Sequence, residues 1–138
     1  MQDIKYEHIL ELSLIPKEYT FQMALHNQDV MKQGFVSYNT NRLQQFMDNV
    51  KANIPDKIRI TIYGIDNQNV SILQYDGSLI IFTIRYFDDK STYQTNYGYK
   101  IIKRFRRKNK EYLTDYFLVT LYNDYIPLFI EPVITKQT

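Results

Sequence analysis

The stretch NTNRLQQFMDNVKANIPDKIRITIY, residues 39–63, decides the fold that the sequence predicts, because a strong helix signal runs directly into a strong strand signal. The apolar residues of its first half recur at i, i+3, i+4 and i+7, which places them on one face of a helix over residues 41–53. These residues are Leu43, Phe46, Met47 and Val50. We expect Asn39 or Thr40 to cap the first turn, and Pro55 to end the helix.

The second half of the stretch alternates between apolar and polar residues, which is typical of a strand with one buried face. The buried face is predicted to carry Ile58, Ile60 and Ile62. A hairpin follows, because Asp76-Gly77 separates two strand-like runs and is typical of a two-residue type I′ turn. Such a turn pairs Tyr75 with Ser78. The opposite face of this hairpin also carries apolar residues, so we expect the N-terminal segment, the tail or a second copy of the chain to cover it.

The remaining segments complete a predicted α+β domain over residues 1–138. A short helix is predicted over residues 17–26, a strand bent at Gly34 over residues 30–38, and a second hairpin that turns around Lys108-Asn109. The tail contains Pro127 and Pro132, which restrict it to an edge or an irregular segment. We expect one principal amphipathic helix, with the short N-terminal helix, to pack on a four- or five-stranded antiparallel sheet of consecutive hairpins, cystatin-like in layout.

Composition and motifs argue against several function classes. With 44% hydrophobic and 23% charged residues, the chain is predicted to be ordered and to lack a transmembrane segment. It contains no cysteine, its two histidines, His8 and His26, have no HxH or HxxxH partner, and no serine lies in a GxSxG turn. The four glycines stand alone and form no phosphate-binding loop. The sequence therefore predicts no metal, no cofactor and no catalytic residues.

One cluster of cations is the strongest candidate for a binding site. The net charge of the chain is only +2, yet seven basic residues fall within eleven positions. They are Lys100, Lys103, Arg104, Arg106, Arg107, Lys108 and Lys110. Such a cluster suits nucleic acid, an anionic cell-wall polymer or a membrane surface. The simpler interpretation is a solvated hairpin whose charges protect an exposed sheet edge against aggregation.

Four short motifs occur in a fixed order along the chain: NxDV at residues 27–30, YNxxxLxxFxxNV at residues 38–50, DKIRI at residues 56–60 and YDG at residues 75–77. In order and spacing they resemble a family of small Firmicutes proteins of unknown function, many of them secreted proteins or lipoproteins. The resemblance implies a secreted or surface-anchored protein whose signal and lipid-bearing cysteine are not in this chain. It implies no activity. Family members often have cysteines in their last strands, and this chain has none.

We therefore interpret the protein as a noncatalytic binding or interaction module, and the resemblance implies an extracytoplasmic location in a Gram-positive bacterium. The expected partner is a protein or a component of the cell envelope, and a homodimer through the second sheet face is an alternative. Two other functions stay open: a polyanion-binding protein that uses the basic hairpin, and an enzyme with a pocket between helix and sheet. The first ten residues, MQDIKYEHIL, do not resemble a signal peptide, so the residues alone leave a cytosolic location open.

Overall fold

The computed structural model of the chain describes residues 3–64, 68–88 and 90–133. Of these residues, 52% lie in strands and 22% in helices. The helices are α1 (Ile4–Ser13), α2 (Phe21–His26) and α3 (Thr40–Lys51). The strands are β1 (Val30–Gln33), β2 (Val36–Tyr38), β3 (Asp56–Tyr63), β4 (Gln68–Tyr75), β5 (Ile80–Tyr86), β6 (Thr92–Lys108), β7 (Glu111–Thr120) and β8 (Tyr125–Val133). None of these helices has the length and apolar character that crossing a membrane requires.

All of these strands belong to one sheet, in the order β2-β1-β3-β4-β5-β6-β7-β8. Neighbouring strands are antiparallel except β1 and β3, which run parallel and are connected through β2 and α3. The sheet curls into a half-barrel, so that Cα atoms of its two edge strands, β2 and β8, come within 8 Å of each other. The curl gives the sheet a concave face and a convex face.

The predicted four- or five-stranded antiparallel sheet with one principal helix is wrong. Residues 30–38 form two strands rather than one bent strand, because the chain reverses at Gly34, whose φ is +61°. β1 then pairs in parallel with β3, a long-range contact that no hairpin signal in the sequence indicates. β6 begins at Thr92, in a polar stretch whose pattern does not indicate a strand. The tail forms β8, an edge strand with a register irregularity opposite Tyr116 and Phe117, which agrees with the prediction from its prolines. The cystatin-like layout is therefore wrong as well.

α3 lies where the sequence predicts a helix, and its apolar side fills one end of the concave face. Phe46 is fully buried in a cluster with Ile60 and Leu73. Asn39 precedes the helix in the left-handed conformation, with a φ of +60°, and does not cap it. Its side-chain amide instead donates to the carbonyl oxygen of Gln28 at 2.7 Å, so the predicted side-chain cap is wrong.

α1 covers part of the convex face. Leu12 and Ile15 pack there in one buried cluster with Val70 and Ile72. Arg85 reaches from β5 to the end of α1 and donates to the carbonyl oxygen of Leu12 at 2.7 Å. The N-terminal segment, which is one of the three predicted covers, therefore covers this face through α1.

The hairpin at Asp76 has a longer loop than predicted. Tyr75 pairs with Ile80 rather than with Ser78, so four residues rather than two lie between the strands. The carboxylate of Asp76 accepts hydrogen bonds from the backbone N–H groups of Ser78 at 2.8 Å and Leu79 at 2.7 Å. These side-chain hydrogen bonds stabilise the four-residue loop in place of the predicted type I′ turn. Because the register differs from the prediction by two residues, every side chain keeps its predicted face.

Candidate functional site

An open cavity of about 600 Å³ occupies the part of the concave face that α3 does not cover. Its walls come from strands that lie on opposite sides of the curled sheet, β3 to β5 on one side and β8 on the other. The apolar wall residues include Ile62, Phe82, Ile84, Leu128, Phe129 and Ile130. The curl of the sheet therefore builds the cavity, because it brings β8 over strands that are distant from it in the sheet order.

The alternation of side chains along the strands explains why the cavity is apolar and why it is empty of protein atoms. On β5, Ile80 and Phe82 are buried in the core cluster with α3, and Ile84 continues the same face beyond it. On β4, the corresponding face changes from the bulky Leu73 to the smaller Ser71 and then to Asn69. The shorter side chains leave space where a leucine would fill it.

The cavity contains polar groups that are poorly satisfied by the protein. The side-chain oxygen Oδ1 of Asn69 is buried and has no hydrogen-bond partner in the described ranges of the chain. The hydroxyl of Ser71 donates to the carbonyl oxygen of Ile60 at 3.5 Å, which is a weak hydrogen bond. Lys32, half-buried on β1, also lines the cavity. Apolar walls with a small number of polar groups are typical of small-molecule sites.

A second cavity, of about 660 Å³, lies beside the first, between the β1–β2 turn and the tip of the β6–β7 hairpin. Both cavities are lined by Lys32, Gly34 and Ile130. The second cavity combines apolar residues with four cations, counting Lys32, and one carboxylate; its lining includes Arg106, Lys108, Lys110, Glu111, Phe35, Leu113 and Pro132. The apolar cavity therefore borders a region of positive charge.

The seven cations of the predicted anion-binding cluster are all exposed on the β6–β7 hairpin. They do not form one patch, because successive residues of a strand point to opposite faces. Lys103 donates to Gln44 on α3, whereas the guanidinium of its neighbour Arg104 lies 4.8 Å from the ring centroid of Tyr125. Arg106 donates to the carboxylate of the buried Asp115 at 2.5 Å.

Two further cations of the hairpin, Lys100 and Arg107, contact aromatic rings. The ammonium of Lys100 lies 5.6 Å from the ring centroid of Tyr99, and the guanidinium of Arg107 lies 5.7 Å from that of Tyr112. Such contacts stabilise exposed cations only modestly. The contact between Arg107 and Tyr112 joins β6 to β7, whereas Lys100 and Tyr99 are neighbours along β6.

A buried polar network around Asp29 is a feature that the sequence did not indicate. The Asp29 carboxylate accepts hydrogen bonds from the hydroxyls of Tyr19 and Thr61, both at 2.8 Å, and from Nε of Arg59 at 3.0 Å. Burial is the main cause that raises the pKa of Tyr19. These hydrogen bonds join Asp29 to the segment before α2 and to two residues of β3, so we interpret this network as structural. The NxD motif at residues 27–29 is the signal in the sequence that could have drawn attention to it.

His8 is likewise a structural residue. It is buried on α1, with Nδ1 2.9 Å from the hydroxyl oxygen of Thr83 and Nε2 2.7 Å from the side-chain oxygen of Gln74. Because the amide oxygen of Gln74 only accepts, Nε2 carries the proton and Nδ1 accepts from Thr83. Burial lowers the pKa of His8, so the ring is neutral at pH 7. In the ranges 3–64, 68–88 and 90–133, no group of three metal-ligating side chains comes together.

Comparison of the chain with models of protein families, with curated proteins and with solved structures found no match. The resemblance to the family of secreted proteins and lipoproteins therefore stays a prediction.

Proposed function

We propose that this protein is a noncatalytic binding module whose concave cavity takes a small, largely apolar ligand. The observation that carries the proposal is the open cavity of about 600 Å³. Small-molecule sites in proteins typically have volumes of roughly 300–1,000 Å³ and apolar walls with a few polar groups. The wall formed by Ile62, Ile84 and Phe129, with Asn69 and Lys32 as polar groups, has this character.

Burial of apolar surface would supply most of the affinity. Each 100 Å² of apolar ligand surface removed from water contributes roughly 2.5 kcal/mol, from which the cost of immobilising the ligand is subtracted. The site is held by a continuous sheet on one side and by the edge strand β8 on the other. A site built on strands needs little reorganisation on binding, which keeps that cost low.

The polar groups of the cavity support binding rather than catalysis. A nucleophile in an active site is usually hydrogen-bonded to a base. In the described part of the chain, Ser71 donates only to a backbone carbonyl, and Lys32 and Asn69 hydrogen-bond to no histidine or carboxylate. This arrangement gives little support to the third possibility, an enzyme with a pocket between helix and sheet.

The test is the binding of N-phenyl-1-naphthylamine, a neutral apolar dye that fluoresces in apolar sites. We expect saturable binding to the wild type and a loss of about tenfold or more in affinity for Ile84→Asp, because a carboxylate would then face the apolar wall. Ile102→Asp is the matched control, since Ile102 is also half-buried on a strand but lies outside the cavity. Equal binding by wild type and Ile84→Asp, with both folded, would exclude the cavity as the site.

The second candidate is polyanion binding by the basic hairpin, and the exposure of all seven cations favours it. Its test replaces Arg104, Arg106, Arg107 and Lys108 with glutamine. If the hairpin binds polyanions, wild type should be retained on heparin in a strongly salt-dependent manner and the variant should lose most of that dependence. If the charges only protect the hairpin, wild type will not be retained at physiological salt and the variant will aggregate more readily.

We also propose an extracytoplasmic location and a partner in the cell envelope, which rest on the family resemblance alone. A lipobox cysteine encoded upstream of Met1 in the same reading frame would support this location. Fractionation of the producing cells provides the direct test, because an extracytoplasmic protein would be released with the envelope or the medium and not with the cytosol.

A further inference from the structure

Lys32 lies at the junction between the apolar cavity and the cationic cavity beside it. The residue lines both of them. Two residues before it on β1, Val30 is fully buried in the core cluster under α3, so strand alternation directs the Lys32 side chain to the concave face as well. The parallel register also places Lys32 beside Ile62, which belongs to the apolar wall.

Among the described residues, the charge of Lys32 has no counter-charge of its own. In the described ranges of the chain, Lys32 takes part in no ion pair. The carboxylate of Asp115 influences it, but that carboxylate is already paired with Arg106 at 2.5 Å. Burial, and then the charge of Arg106, lower the pKa of Lys32. A half-buried cation without a partner is unfavourable, and an anion bound beside it would remove that penalty.

We infer that the ligand of the concave cavity is an amphipathic monocarboxylate of the fatty-acid type, whose carboxylate pairs with Lys32 while its alkyl chain lies along the apolar wall. The inference rests on the proposed function and specifies its ligand class. One uncompensated cation matches a single negative charge rather than a phosphate, because the guanidinium of Arg106, whose charge influences Lys32, is already neutralised by Asp115. Lys108 and Lys110, exposed around the neighbouring cavity, would attract the anion towards this entrance.

The test compares dodecanoate with dodecanol, which has the same chain and a neutral head group, by titration calorimetry below micelle-forming concentrations. We expect wild type to bind dodecanoate at least about tenfold more tightly than dodecanol, and Lys32→Met to remove that preference while dodecanol binding is unchanged. Methionine keeps the length and the apolar stem of the lysine. Lys51→Met is the matched control, because Lys51 is an exposed lysine at the end of α3.

A charge reversal provides a second, independent measurement. Lys32→Glu should reverse the preference, so that dodecylamine binds more tightly than dodecanoate. If Lys32→Met, folded as judged by its melting temperature, keeps the wild-type preference for dodecanoate, the assignment of the head group to Lys32 is wrong and the cavity proposal survives. If dodecanol binds wild type as well as dodecanoate does, the inference of an anionic ligand is wrong. If wild type binds neither the dye nor any of these chains, the proposed function itself fails.

Discussion

Replacement of Phe46 by alanine should remove a large part of the stability of this protein. The Phe46 side chain is fully buried, in the cluster that α3 forms with the concave face. Phenylalanine-to-alanine substitutions at such positions cost about 3–5 kcal/mol, against a typical total of roughly 5–15 kcal/mol. For a chain of this length, 1 kcal/mol corresponds to about 3–5 °C in melting temperature, so we expect a decrease of about 10–25 °C.

The assay for Phe46→Ala is urea unfolding followed by circular dichroism and tyrosine fluorescence, since the chain has 13 tyrosines and no tryptophan. Phe105→Ala is the matched control, because Phe105 is 77% exposed and its truncation should change the free energy of unfolding by no more than about 0.5 kcal/mol. A wild-type midpoint for Phe46→Ala would refute the reasoning, because it would mean that α3 does not hold the closed end of the concave face.

Two further predictions concern the hairpin loop and the buried histidine. Gly77→Val should destabilise the protein by about 1 kcal/mol or more, because Gly77 has a φ of +100°, which strains a β-branched residue. Ser78→Val, at the exposed neighbour, is the control. Equal urea midpoints for the two variants would contradict the prediction. His8 has a lowered pKa in the folded protein, so the unfolded chain binds a proton first and stability should fall as the pH drops below about 6.5. His8→Gln should weaken this dependence between about pH 7 and pH 5, and an unchanged slope would show that other groups cause it.

Local patterns in the sequence predicted those elements in which only one type of secondary structure places the apolar side chains on one face. The spacing of Leu43, Phe46 and Met47 is compatible with a helix and leaves one face to bury, and α3 buries that face. Alternation likewise assigned Ile58 and Ile60 to the core. Even a wrong loop length at Asp76 left the faces correct, because the register moved by two residues and the side-chain period of a strand is two.

Other elements were missed because their local signals are weak or ambiguous. The segment from Thr92 to Asn96 is polar, yet it forms the first part of β6 because β5 offers it a complete ladder of backbone hydrogen bonds. α1 has apolar residues all around its surface, so its pattern does not show which side is buried. α1 is positioned by contacts of Leu12 with β4 and of His8 with β5. These contacts join residues that are more than 55 positions apart in the sequence.

Thus the sequence by itself determined the central helix, most of the strands and the buried faces of α3, β3, β4 and β5, because these depend on interactions between near neighbours in the chain. Tertiary structure alone decided the number of strands in the sheet, the parallel pairing of β1 with β3 and the curl that brings β2 to β8. The candidate site is also a feature that only the tertiary structure decided. The cavity and the position of Lys32 near Arg106 arise only when the sheet curls, because long-range backbone pairing brings together residues that no local pattern connects.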